Sequence, residues 1–320
     1  MKFSTELAIL CDAEIDEVGD GNLGFSWTSL IEPISVDQFE SDYFARRPLH
    51  LKARSIPTTG LEAIDGWRTV LGGQAMRVER HRTFVNIDPT ANRNQPLAQN
   101  LDALLETGGP LIINKIDTIH PVVRSMADEI AKGLSARTGV NAYISPRRKD
   151  AQDLHADDHE VLVLQLHGTK RWTIGSSVVK GMVASNLFKI DHEPLKRHAR
   201  NHDRFQAVDL NPGDLLYLPR GMFHQATSIS PISIHLTFSG LRPIGLDFVE
   251  VVLNRLIADI GVRDYFPRVH DDGDETAIRA HMDSMTEKFQ RLGQDEGVRR
   301  AFIDLYRENS RQDVRPEKDK

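Results

Sequence analysis

Three side chains of this sequence have the types and spacing to hold one ion. His155 and Asp157 stand in His155-Ala156-Asp157, and His224 closes Pro219-Arg220-Gly221-Met222-Phe223-His224. On an extended strand, residues two apart point to the same side, so His155 and Asp157 can grip an ion from a single strand end. His224 comes 67 residues after Asp157, as expected for a third ligand carried by a different strand of a closed β structure. The turn before Phe223-His224 can aim the imidazole inward. Two imidazoles and one carboxylate on one face of a metal leave coordination positions open, the arrangement used by non-haem Fe(II) oxygenases. The competing reading of a lone His-x-Asp is a polar strand end with a capping or ion-pair role. The distant His224 and the lysine described next weigh against it.

Lys170 follows His155 by 15 residues, across the turn that Gly168 marks. An ion with three protein ligands can chelate a 2-oxo acid through two oxygens and keep one position for O2. If that acid carries a second carboxylate, the far end is buried. An unpaired buried charge costs roughly several kcal/mol, so a cation is needed there. Lys170 and Arg171 point to opposite faces of their strand, so only one is the inward cation. We assign Lys170 inward and Arg171 to the surface.

These residues need strands to present them. From Val140 to about residue 240 the chain reads as short strands separated by turn signals, a spacing that predicts a β sandwich or barrel. Leu215-Leu216-Tyr217-Leu218 is an apolar strand fed by the Pro212-Gly213-Asp214 turn. A later strand alternates, with Ser233, His235 and Thr237 on one side and Ile234, Leu236 and Phe238 on the other. Upstream, helices are predicted over 36–45, 61–73 and 121–138, with strands starting at Leu49, over 74–87 and at 111–114. After Pro243 the pattern turns helical, over 246–260, 275–292 and 296–308. The division read from this is an N-terminal arm (1–30), loosely held over its acidic first 24 residues, a β domain (31–245) and a helical region (246–320) that pairs its apolar faces in a homodimer. The last ten residues are charged and expected to fray.

Composition narrows the function classes. Hydrophobic residues make up 40% and charged residues 27%, ordinary for a soluble folded chain. A net charge of −6 gives no basic field, so nucleic acid is not an expected partner. The single cysteine, Cys11, permits no internal disulfide and suits a reducing cytoplasm; with no activating neighbour it reads as inert. The N terminus lacks a signal-peptide pattern, and no apolar run approaches a membrane span. Walker-type loops, dinucleotide fingerprints and Gly-x-Ser-x-Gly elbows are missing. His192, His198 and His202 fall in a basic stretch, Lys189 to Arg204, that reads as a solvated loop. His198 and His202 would have zinc spacing if it were helical. His159 and His167, close to the ion-gripping residues, read as bystanders.

Several segments in order carry a family resemblance. They are Phe44-Ala45-Arg46-Arg47-Pro48-Leu49, Gly109-Pro110-Leu111-Ile112-Ile113-Asn114-Lys115-Ile116-Asp117, and Asn141-Ala142-Tyr143-Ile144-Ser145-Pro146. They continue with His155-x-Asp157, Gln165-x-x-Gly168-x-Lys170-x-Trp172, Pro219-x-Gly221-x-x-His224 and Ser233-x-His235-x-Thr237. From about residue 36 to 240 the chain resembles the JmjC family of Fe(II)- and 2-oxoglutarate-dependent oxygenases, and within it the ribosomal-protein hydroxylase, or cupin-4, branch. That resemblance implies a mainly β fold with added helices, a double-stranded β-helix (jelly roll) core followed by a helical region. It implies Fe(II), 2-oxoglutarate and O2 as cofactor and cosubstrates. His155, Asp157 and His224 would be the iron ligands, and Lys170 would pair with the distal carboxylate of 2-oxoglutarate. Asn141, Tyr143, Ser233, His235 and Thr237 would line the same cavity, or else satisfy a buried polar core.

The expected activity is hydroxylation of a protein side chain, with a ribosomal protein as the family's substrate. In that branch a helical dimerisation region and then a winged-helix domain follow the oxygenase core. Only about 75 residues follow residue 245 here, enough for the first and too few for both. That departure keeps a small peptide or metabolite open as the substrate. Demethylation by oxidation of an N-methyl carbon is the same reaction. A cupin module that holds metal without turnover is the non-enzymatic alternative, opposed by the joint presence of His155, Asp157, His224 and Lys170.

Overall fold

The computed structural model of the 320-residue chain describes residues 8–10, 25–54, 59–71, 76–79, 83–87, 109–147, 153–183, 191–268 and 275–309. They fall into two compact units, one built from residues up to Leu241 and the other from Arg242 onward. Cys11 and 310–320 lie outside the described residues.

The first unit is a two-sheet β structure. Its strands are β1 (Ala8–Leu10), β2 (Leu49–Leu51), β3 (Met76–Glu79), β4 (Thr83–Ile87), β5 (Leu111–Asn114), β6 (Arg137–Pro146), β7 (His155–Ala156), β8 (Glu160–His167), β9 (Lys170–Val178), β10 (Phe205–Leu210), β11 (Leu215–Leu218), β12 (Met222–Ser228) and β13 (Ile232–Leu241). The larger sheet runs β1-β2-β11-β8-β13-β6-β5-β4-β3 and the smaller β10-β9-β12-β7. Neighbours are antiparallel except β1 with β2 and β4 with β5.

Period-two alternation explains how one sheet serves two cores. On β8, Leu162, Leu164 and Leu166 join a cluster with the helices, through Trp27, Trp67, Met126 and Ile130. Val161 and Val163 turn the other way, onto Trp172, Ile174, Val208, Leu210 and Met222 of the smaller sheet. Leu215 and Tyr217 of β11 go with the helices, and Leu216 and Leu218 with the smaller sheet. On β13, Ile234, Leu236 and Phe238 face the helical side, which leaves Ser233, His235 and Thr237 for the interior between the sheets. Such two-sided burial makes β8 and β11 read as continuous apolar runs.

The turn before β11 is tied by a buried pair. His50 Nε2 lies 3.1 Å from Asp214 Oδ2, and Asp214 also accepts from the backbone N–H groups of Ala53 and Asn211, each at 3.0 Å. These bonds overcome the burial that would otherwise raise the Asp214 carboxyl, and they hold it below its ordinary value.

Several expectations change against the structure. The arm contributes β1, paired in parallel with β2, so Ala8–Leu10 is not loose; the rest of 1–24 lies outside the described residues. The helix expected over 36–45 is one α turn, Val36–Gln38, continued by a π turn at Phe39–Tyr43. The helix from Pro121 ends at Leu134, capped by Ser135 in the left-handed region, and β6 begins at Arg137. The basic stretch expected as a loop contains a helix, Glu193–His202. Its second residue is Pro194, where the missing N–H costs nothing, and Lys, Arg and Ala follow with good helix propensity. The region after Arg242 contains helices Gly245–Leu256, Ile260–Arg263, Thr276–Gln294 and Glu296–Asn309, close to the expected spans.

Candidate metal centre and acid pocket

His155 and His224 meet because β7 and β12 pair with those two residues directly opposite each other. Their ring centroids are 4.4 Å apart. His155 Nδ1 is 2.7 Å from the Asp153 carbonyl oxygen, and His224 Nδ1 is 3.0 Å from that of Met222. A carbonyl can only accept, so each Nδ1 carries a proton, which leaves Nε2 as the ring nitrogen able to ligate. Burial pushes the His224 imidazole down to about 4, with His155 adding to the fall and Asp157 opposing it. It is therefore neutral near pH 7, the form that binds a metal.

Asp157 closes the triad. Its oxygens stand 3.7 Å from His155 Nε2 and 3.5 Å from His224 Nε2, long for hydrogen bonds. One donor atom from each residue lies within 4.8 Å of the others, and among the described residues this is the group of three able to hold an ion. Bonds of about 2.1 Å to one ion put adjacent donors on the order of 3 Å apart. The donor set therefore fits a divalent cation after small side-chain movements. Gly221 holds Asp157 in place. Its N–H donates to the Asp157 carbonyl at 2.8 Å and its carbonyl accepts from Val179 at 2.8 Å. It does so at φ +83°, where a Cβ would sit 2.2 Å from the Val179 oxygen, so only glycine serves.

A cavity of about 400 Å³, its open mouth included, begins at the triad. Lys170 lies in its wall and is fully buried, while Arg171 is exposed and binds Asp209 through two bonds of 2.7 Å. The alternation along β9 thus sorts the two cations as expected. Lys170 Nζ donates to Ser145 Oγ at 2.9 Å and lies 3.4 Å from His235 Nδ1. Burial first, and then the lysine charge, keep the His235 imidazole neutral well below its ordinary value, so Nδ1 can accept. Tyr143 stacks on His235 with centroids 4.6 Å apart and planes at 7°. Burial and then the Asp157 charge push its phenol up, so it stays protonated and can donate.

The structure brings His155, Asp157, His224, Lys170, Tyr143, His235 and Thr237 to one cavity wall. Two of the named residues are engaged elsewhere. Asn141 Oδ1 accepts from the Lys115 backbone N–H at 3.2 Å, and Ser233 accepts from Gln165 Nε2 at 2.9 Å. His159 contacts Asp158 at 3.1 Å, and His167 is exposed. The sequence reading assigned no pocket role to Trp172, a motif residue that lines the cavity with its ring 5.8 Å from His224 and 5.6 Å from His235, nor to Ser145 under the lysine. The signal for both was the strand period: Trp172 is two residues beyond Lys170, and Ser145 two beyond Tyr143.

A family model described as the JmjC domain matches residues 116–247, the stretch that supplies all three candidate ligands and Lys170. Relatives include the bifunctional lysine-specific demethylase and histidyl-hydroxylase NO66 of Aedes aegypti, 24% identical over 85% of this chain and 46% of that protein. Ribosomal oxygenase 2 of Rattus norvegicus is 36% identical over 74% of this chain and 52% of its own length. The chain thus spans about half or less of these relatives. Among solved structures, the E. coli ribosomal oxygenase YcfD in complex with cobalt and 2-oxoglutarate matches with a TM-score of 0.53 at 14% identity, covering 84% of this chain and 70% of that one. At that identity the match shows the fold alone: a mainly β core with added helices. No described helix is long and apolar enough to cross a membrane.

Proposed function

We propose that this protein is an Fe(II)- and 2-oxoglutarate-dependent oxygenase that hydroxylates a protein side chain, with a ribosomal protein as its substrate. The observation that carries this reading is the convergence of His155, Asp157 and His224 on one point with the buried Lys170 ammonium in the wall of the same cavity. The names of the NO66, ribosomal oxygenase 2 and YcfD relatives support the substrate class.

His155 and His224 hold the ion through Nε2, with Asp157 supplying the negative donor. Fe(II) bound there would supply O2 activation coupled to oxidative decarboxylation of 2-oxoglutarate to succinate, the chemistry that puts one oxygen atom into a C–H bond. Lys170 binds the distal carboxylate of 2-oxoglutarate, and the protonated Tyr143 phenol and Thr237 hydroxyl offer donors along the wall. Val161, Trp172 and Ala226 keep that stretch dry, which strengthens the lysine–carboxylate attraction. The two backbone carbonyls at Asp153 and Met222 keep both imidazoles in the ligating tautomer.

The same reading includes a homodimer formed through the helical region. Ile257, Ile260, Tyr265 and Phe266 are 55%, 70%, 99% and 56% exposed there, and such apolar side chains favour a partner surface. It also places the protein in the cytoplasm, supported by the near-absence of cysteine. The test is succinate release from 2-oxoglutarate with Fe(II), followed by mass spectrometry of ribosomal proteins from cells with and without the gene. Slow release lost in Asp157→Ala, and a +16 Da shift that depends on the gene, are expected. No release with any ribosomal preparation would remove the reading.

A further inference from the structure

Lys170 is buried on all sides, and a buried ammonium keeps its place and charge only if its N–H groups find acceptors. Two of its partners are Ser145 Oγ at 2.9 Å and His235 Nδ1 at 3.4 Å. A hydroxyl and a neutral imidazole orient the ammonium without themselves cancelling its charge. Both come from adjacent strands in fixed register. On the β6–β13 ladder, Ser145 stands opposite Ser233 and Tyr143 opposite His235. His235 is further locked by its stack on Tyr143 and its edge-on contact with Trp172 at 76°. Ser145 is fully buried and lies outside the cavity lining, so it reaches a cavity occupant only through the lysine.

We propose that Ser145 is a positioning residue: with His235 it holds the Lys170 ammonium in the orientation that receives the distal carboxylate of the 2-oxo acid. The inference rests on the proposed 2-oxoglutarate site, and it extends that site to a residue which touches neither metal nor cosubstrate. Its consequence is selective. Removing the Ser145 hydroxyl loosens the grip on the far carboxylate and leaves the metal end alone.

The experiment is calorimetric titration of the Mn(II)-loaded full-length chain with 2-oxoglutarate and with 2-oxobutyrate, which lacks the distal carboxylate. Wild type, Ser145→Ala and Lys170→Met are compared, alongside Mn(II) affinity and thermal midpoint. Ser145→Ala is expected to weaken 2-oxoglutarate by about tenfold, the scale of one hydrogen bond to a charged group. It should leave 2-oxobutyrate and Mn(II) affinity unchanged, while the thermal midpoint reports any loss of fold. In turnover the same variant raises KM for 2-oxoglutarate with kcat held. Equal weakening of both acids, or none of either, overturns the role of Ser145. If Lys170→Met still loses 2-oxoglutarate, the site assignment survives that result. If wild type binds no 2-oxoglutarate, or Lys170→Met binds it as wild type does, the proposed function and this inference fall together.

Discussion

In the β unit, the four residues Leu215–Leu218 of β11 are all at most 2% exposed, whereas in the helical unit only Val252 and Val298 among the described residues are buried apolar side chains. The two regions use their apolar residues in opposite ways. The β unit closes its apolar surface on itself twice, once against helices and once between sheets. The helical unit leaves Ile260 and Tyr265 at 70% and 99% exposure. The contrast teaches where each region's order comes from. A cavity that holds three candidate ligands and a lysine in fixed register needs a rigid scaffold. A surface that pairs with a second copy, as proposed for the helical unit, need not be complete.

The strongest way to break the comparison is at the site. Asp157→Ala should bring succinate release down to the level without enzyme, while the thermal midpoint of the β unit stays within a few degrees. Loss of fold with loss of activity would mean that the triad is structural. Lys170→Met should raise KM for 2-oxoglutarate by about a hundredfold or more, the scale of truncating one partner of a buried charge pair. An unchanged KM would count against Lys170 as the carboxylate partner.

Asp214→Ala tests the scaffold. It strands His50 and two backbone N–H groups, and a loss of about 3–5 kcal/mol is expected in urea denaturation. The pH dependence has a definite sign. The Asp214 carboxyl is depressed on folding, so its contribution is present above the unfolded-state value near 3.9 and is lost as pH falls through the lower folded value. The Asp214→Ala variant should therefore show a shallower acid transition than wild type below about pH 4. The smallest effect belongs to the helical unit. Ile260→Glu should change unfolding free energy by about 0.5 kcal/mol or less in dilute solution, as surface changes do. It should nevertheless lower the mass seen by light scattering if that face pairs two copies. A cost like that of Asp214→Ala, at unchanged mass, would erase the distinction between the regions.

Much of the site was legible before the fold. Strand periodicity put Lys170 and Arg171 on opposite faces, and put His235 and Thr237 on the side away from Ile234 and Leu236, because a β side chain has only two directions to choose between. Helix limits were less legible. Nothing in the Lys189–Arg204 composition opposes a helix, and its charge pattern suits either a helix or a loop. Asn141 and Ser233 share the inward parity of their neighbours. Parity, however, says nothing about which group lies across the gap, and the Lys115 backbone and Gln165 take them.

By itself, then, the order of residues determined the donor types, their parity on each strand and the apolar runs that must be buried on both faces. These depend on chain geometry within a few residues. Only tertiary structure decided that β7 pairs with β12 with His155 opposite His224, that Gly221 pins Asp157 beside them, and that Ser145 rather than Asn141 reaches the lysine. Those outcomes depend on register between strands distant in sequence, and register is set by the packing of the whole core.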